Sequence, residues 1–131
     1  MPPGKSVTLT EAELRLMDVF WERGACTVQQ VVDAVEGQKL LAYNSVLTTV
    51  RILERKGYLR HMKDGRAHVY TPIVAREEAT RTEVRHLVRR LFNNSHELLV
   101  LNVLSDEGID AEELERLRKL LNEKAEDGGR G

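Results

Sequence analysis

The chain has 131 residues, 41% hydrophobic and 31% charged, with a net charge of -1. That composition excludes a disordered chain, and no apolar run approaches the ~20 residues of a membrane span. One cysteine, Cys26, leaves no internal disulfide, and the N-terminus lacks the apolar core of a signal peptide, so the cytoplasm is the expected location.

Residues 1–9 include Pro2, Pro3 and Gly4 and read as a flexible tail. Thr10-Glu11-Ala12-Glu13 is a capping box, in which Thr10 caps a helix and Glu13 reaches back to it. That helix runs to about Arg23. Leu14, Met17, Val19, Phe20 and Trp21 supply its buried side, and Gly24 ends it. Residues 24–27 are an extended connection. Thr27-Val28-Gln29-Gln30 is a second capping box, opening a short helix with Val28, Val31, Val32 and Val35 inside and Gly37 closing it. Residues 38–41 turn the chain into a third helix, 42–56, which Gly57 stops.

The third helix has two faces. Val46, Val50 and Leu53 recur at i, i+4 and i+7 and form a core stripe. Asn44, Ser45, Thr48, Arg51 and Arg55 form a polar stripe without a carboxylate, with Glu54 off to the flank. Such a face is either a solvated surface or one laid in a DNA major groove. In a groove, Asn, Ser and Thr meet base edges or phosphates, and Arg forks onto guanine or phosphate. The surrounding charge favours the groove. Residues 39–72 carry seven basic side chains (Lys39, Arg51, Arg55, Lys56, Arg60, Lys63, Arg66) against two acidic ones (Glu54, Asp64).

Asp64-Gly65 is a hairpin-turn signal between two strand-like runs. A turn centred on that pair sets His61 opposite His68, Met62 opposite Ala67 and Leu59 opposite Tyr70. Lys63 and Arg66 lie at the tip, and Pro72 ends the second strand. Three short helices and a basic-tipped hairpin make residues 10–74 a winged helix-turn-helix. Its third helix would enter the groove while Lys63, Arg66 and His68 of the wing meet the flanking backbone.

Residues 75–126 read as helical throughout. The first helix, 75–92, places Val84, Leu87, Val88, Leu91 and Phe92 on one side. Ser95 is a candidate cap for a second. Its Leu98, Leu99, Val100, Leu101, Val103 and Leu104 are apolar on nearly every side, so it should be buried. Asp110 to Glu113 opens a third helix with Leu114, Leu117, Leu120 and Leu121 inside, and 127–131 should fray. Three short helices cover a core poorly alone. They either fold back on the first domain or dimerise, and leucine on all sides of the middle helix favours a homodimer. The interface would use Leu87, Leu91, Leu98, Leu101, Leu104, Leu114, Leu117 and Leu121. The expected architecture is therefore mainly α with a small β-hairpin: a winged helix-turn-helix domain plus a C-terminal helical dimerisation region.

The stretches LTEAELRLMDVFWERGACTVQQVVDAV, LAYNSVLTTVRILERKGYLRH, DGRAHVYTP and LLVLNVLSDEGIDAEELERLRKLL span residues 9–121. Together they resemble the penicillinase-repressor (BlaI/MecI/CopY) family of bacterial repressors. The resemblance implies a homodimer that binds a palindromic DNA operator and regulates genes of the antibiotic-resistance type. It also implies that Asn44, Ser45 and Thr48 reach DNA. Where members carry an arginine late in the recognition helix, this chain has Ile52, with Arg51 beside it. Some members are inactivated by proteolysis under a membrane metalloprotease that senses β-lactams. The matching bond is Asn102-Val103, and cutting there would break a dimer core. The other reading, that Asn102 is an ordinary helix residue, stands beside it. Copper-responsive members carry a C-terminal cysteine-rich site, which this chain lacks.

No phosphate loop, nucleophile elbow or metalloprotease motif is present, so neither an enzyme nor a cofactor is expected. His61 and His68 lack a third metal ligand, and wing packing or phosphate contact is the favoured role. Cys26 reads as a small buried hydrophobe or, if exposed with a low pKa, a redox sensor. The alternative to a repressor is a winged-helix protein-interaction module without specific DNA binding.

Overall fold

The computed structural model describes residues 8–35 and 42–130. Gly37 and the turn expected over 38–41 lie outside these residues, as does most of the expected N-terminal tail. In chain order the elements are α1 (Glu11–Arg23), β1 (Cys26–Thr27), α2 (Val28–Val35), α3 (Tyr43–Lys56), β2 (Leu59–Asp64), β3 (Ala67–Pro72), α4 (Arg76–Leu91), α5 (His96–Leu104) and α6 (Ala111–Arg130). The chain divides into two compact units, Met1–His86 and Leu87–Gly131. The division falls inside α4 rather than at the 74/75 boundary read from the sequence. The early turns of α4 belong to the first unit because Ala79 enters its core and Glu83 accepts a hydrogen bond from the Leu9 amide at 3.1 Å.

The caps form as the local sequence dictates. The Glu13 amide donates to Thr10 Oγ1 at 3.1 Å, and the Thr10 amide donates to Glu13 Oε1 at 3.0 Å. Thr27 and Gln30 make the same reciprocal pair at the start of α2. Gly57 ends α3 with φ 91°, a conformation that costs any residue with a Cβ.

The buried face of α1 differs from the expected one. Leu16, Met17 and Phe20 are buried with Glu13, whereas Leu14 is 42% exposed and Val19 and Trp21 are half-buried. Positions 13, 16, 17 and 20 are one helical stripe, so accepting Glu13 into the core rotates Leu14 outward. Glu13 is admitted because Lys56, at the far end of α3, pairs with it at 2.7 Å. Lys56 Nζ also donates to the Thr8 carbonyl at 3.0 Å. Val31 and Val35 of α2 and Val46, Val50 and Leu53 of α3 complete the centre of the core.

The sheet is antiparallel in the order β1-β3-β2. The extended connection before α2 is thus a strand, pairing Cys26 with Tyr70 and Thr27 with Val69. Two residues are too few to show a period, which hides this strand from sequence reading. The hairpin register is shifted by two from the expected one. His61 lies opposite Tyr70, Met62 opposite Val69, Leu59 opposite Pro72, and Asp64-Ala67 closes the turn. Gly65, with φ 65°, takes the first central position and Arg66 the second. That glycine placement suits a two-residue turn of the II′ kind. A shift of two keeps every side chain on its face. His61 and His68 therefore remain neighbours, now diagonal, with stacked rings 4.8 Å apart.

In the second unit α4 ends at Leu91, one residue short of the expected Phe92. Asn93 and Asn94 adopt left-handed φ values of 50° and 66° and turn the chain, with the Asn94 amide donating to the Val88 carbonyl. Ser95 Oγ caps α5 by accepting from the Leu98 amide at 3.1 Å, and Asp110 caps α6 by accepting from the Glu113 amide at 2.8 Å. Residues 127–130, expected to fray, continue α6. The expectation that α5 is buried fails within one chain. None of its residues is buried, and Leu98, Val100, Leu101, Val103 and Leu104 are all exposed.

Removing one partner of the Glu13–Lys56 pair leaves a buried charge uncompensated. Lys56→Ala is expected to destabilise the first unit by on the order of 3 kcal/mol in denaturant unfolding. The double change Glu13→Gln with Lys56→Met should recover most of that, since glutamine preserves the cap. Equal losses in both variants would contradict this account.

Candidate nucleic-acid interface

The apolar stripe of α3 faces the core, so the polar stripe must face out. Asn44, Ser45, Thr48, Arg51 and Arg55 are all exposed, and Ile52 is half-buried at the edge. Thr48 donates its hydroxyl hydrogen to the Asn44 carbonyl at 2.9 Å, and Thr49 does the same to Ser45 at 3.0 Å. The Thr48 oxygen keeps its acceptor capacity, which suits an adenine or cytosine amino group, and its methyl suits thymine. Ala42 offers α3 no side-chain cap, and the first turn of the helix carries no acid. The positive end of the helix dipole is thus left available to an anion.

Beside α3, the wing carries Lys63, Arg66 and His68, all exposed. Between wing and helix lies a cleft of about 370 Å³, lined by Tyr43, Leu47 and Arg51 on the helix side and by Arg66, His68 and Tyr70 on the strand side. Among the described residues no carboxylate lines it. The four ion pairs among the described residues use none of Arg51, Arg55, Lys63 and Arg66. Among the described residues no carboxylate pairs with these four side chains, so each is available to a phosphate.

The acid nearest the face is held elsewhere. Glu54 Oε2 accepts from the His61 amide at 3.1 Å and contacts His61 Nδ1 at 2.6 Å. Arg51 and Tyr70 both line the cleft. Burial pushes the Tyr70 phenol up, the nearby Glu54 carboxylate adds to this, and Arg51 pulls the other way. The phenol accordingly stays neutral. Among the described residues no group of three His, Cys, Asp or Glu side chains converges as metal ligands.

The sequence model of the penicillinase repressor family matches residues 9–123. The chain belongs to the penicillinase repressor family. It is 31% identical over 121 residues to the transcriptional regulator BlaI of Mycobacterium tuberculosis (strain CDC 1551 / Oshkosh), covering 91% of this chain and 86% of that one. It is 27% identical over 115 residues to the penicillinase repressor of Bacillus licheniformis, covering 88% and 90%. The solution structure of the DNA-binding domain of the repressor BlaI matches with a TM-score of 0.52 at 28% identity, covering 60% of this chain and 93% of that one. The first unit is thus a winged helix-turn-helix of the penicillinase repressor kind.

Two residues of this interface escaped sequence reading. Tyr43, 47% exposed, opens α3 and lines the cleft. Tyr43, Leu47 and Arg51 recur at i, i+4 and i+8, a stripe that flanks the polar one and was visible in the sequence. Tyr70, the other, lines the cleft from β3 and needed the strand pairing to be placed there. In the second unit, Leu91, Leu98, Leu101, Leu104, Leu114 and Leu121 are exposed, and Leu87 and Leu117 are half-buried. Asn102 and Val103 are exposed positions within α5.

Cys26 is buried beside β3, and desolvation raises its thiol pKa, partly offset by Arg23. The small-hydrophobe reading follows from that burial. The native thiol should react with a disulfide reagent far more slowly than the thiol in denaturant. Comparable rates in the two states would return Cys26 to the list of sensors.

Proposed function

We propose that this protein is a homodimeric, DNA-binding transcriptional repressor that holds a palindromic operator through α3 and the wing. The observation that carries this reading is the carboxylate-free face of α3, exposed beside a cationic wing. Asn44, Ser45, Thr48 and Arg51 would meet base edges. Arg55, Lys63, Arg66 and His68 would meet phosphates, which supply affinity and register but no sequence information. A member of this family acts where the DNA is, so the cytoplasm is the compartment that fits. Among the described residues no helix is long and apolar enough to cross a membrane. The role is regulatory and calls for no catalytic group.

A dimer accounts for the apolar surface of the second unit. Exposed leucines and valines on α4, α5 and α6 form more apolar surface than a lone chain tolerates. A two-fold partner would cover them and set two α3 helices one duplex turn apart, ~34–36 Å. Release by a membrane sensor metalloprotease would then act at Asn102-Val103, inside the apolar helix that the dimer needs. That bond is helical, so α5 must open locally before it is cut.

Gel-shift titration against DNA from upstream of the protein's own gene, with excess nonspecific competitor, tests the DNA reading. A competitor-resistant shift of one dimer per palindrome is expected. Arg51→Ala should weaken it by ~1–3 kcal/mol, whereas Lys63→Ala should lower the salt slope by about one. Binding that competitor abolishes, here and on genome-wide selected fragments, would favour the protein-interaction alternative. Leu101→Asp should sediment as a monomer and lose the operator. A dimeric Leu101→Asp would remove α5 from the interface.

A further inference from the structure

The hairpin arm beyond the core has little to hold it. Leu59 and Tyr70 are buried at its base, but every residue from 60 to 68 is exposed. β2 lies at the edge of the sheet, in the order β1-β3-β2, so part of its backbone N–H groups point away from β3. The His61 amide is one of these, and it donates to Glu54 Oε2 of α3 at 3.1 Å. The same oxygen lies 2.6 Å from His61 Nδ1. The His61 ring in turn stacks on that of His68 in β3, with centroids 4.8 Å apart and 18° between the planes. One carboxylate on α3 thus reaches β2 through an amide and a ring, and β3 through the stacked rings.

We propose that Glu54 is a positioning residue for the wing: its grip on the His61 amide and ring sets the angle of the arm to α3, and so places Lys63, Arg66 and His68 against the phosphate backbone beside the groove. This rests on the DNA-binding reading above. A carboxylate here is otherwise unfavourable. Glu54 is one of two acids among seven bases in residues 39–72, and on the flank of a phosphate-binding face its charge repels the ligand. The contacts with His61 give that charge a purpose. An arm without them would have to be ordered as it met the phosphates, and that ordering is subtracted from affinity. The grip gives direction rather than stability. With 39% of the His61 side chain and 31% of the Glu54 side chain exposed, the pair adds little to the stability of the fold.

The test uses the full chain with Glu54→Gln and Glu54→Ala. Both remove the same charge, but glutamine keeps an oxygen for the His61 amide and alanine does not. The probes are the duplex that wild type selects from a random pool and a scrambled duplex of the same composition. An acid that acts through charge alone would make both variants bind alike, and more tightly than wild type. The grip predicts a split. Glu54→Gln should bind at least as tightly as wild type. Glu54→Ala should bind both duplexes about tenfold more weakly than Glu54→Gln, with a shallower salt slope, because wing phosphates are lost. Adding Lys63→Ala should weaken Glu54→Gln as it weakens wild type, and leave Glu54→Ala unchanged. The selected sequence should stay the same, since α3 reads the bases. In the free protein, the His61 amide should exchange with solvent faster in Glu54→Ala than in wild type. If a variant melts earlier, affinities are compared at a temperature where all are folded. Equal affinities of the two variants overturn the proposal. So does a full Lys63→Ala loss in the Glu54→Ala background, or an altered selected sequence, which would make Glu54 a support of α3 instead. A wild-type protein that selects no sequence overturns the DNA reading itself, and His61 exchange then still decides whether the grip exists.

Discussion

A carboxylate sits where a core residue is expected, and the first unit is arranged around it. Glu13 is 5% exposed, yet it accepts the Thr10 amide that starts α1 and the Lys56 ammonium that ends α3. One oxygen therefore joins the N-terminal cap of the first helix to the last turn of the helix that carries the proposed DNA-reading face. Apolar contacts alone would let α3 slide or turn against α1 at small cost, because they are non-directional. The ion pair has a direction and a length, and an unpaired charge at that depth is costly. It thus favours a single placement of α3, and with it the orientation of the polar stripe.

The other end of that face is held by β3. This strand pairs with β1 on one side and β2 on the other, so the wing is tied to the segment that leads into α2. Tyr70 is where the ties meet, through its backbone to Cys26 and His61, and it lines the cleft together with Arg51. The Glu54–His61 contact links α3 to β2. Helix and wing are therefore parts of one rigid device. At the first unit's C-terminal side, Trp21 donates its indole N–H to the Val74 carbonyl at 2.8 Å, and the Arg76 guanidinium sits 4.8 Å over its ring. These contacts fasten the start of α4 to α1.

The second unit obeys the opposite economy. Its caps are local and well formed, but its apolar side chains find little cover. In water such a helix gains stability only from a partner surface, since propensity and capping contribute little at nine residues. The proposed dimer follows from that deficit.

Local features of the sequence determined where most of the helices begin and where α3 ends. The Thr10 and Thr27 capping boxes, Ser95, Asp110 and the stop at Gly57 all rest on hydrogen bonds a few residues long or on one left-handed φ, so they are legible in the chain. The core stripe of α3 was legible for the same reason, and its opposite face followed from it. Family membership was legible too, since it rests on residue order. Tertiary structure decided the rest. It buried Glu13 and turned Leu14 out, because Lys56 arrives from 43 residues away. It made Cys26-Thr27 a strand, because β3 supplies the pairing that two residues cannot signal. It moved the hairpin register by two, because Gly65 rather than Asp64 took the first turn position. It also set Arg51 and Tyr70 along one cleft, a juxtaposition of elements that no spacing within either one could reveal.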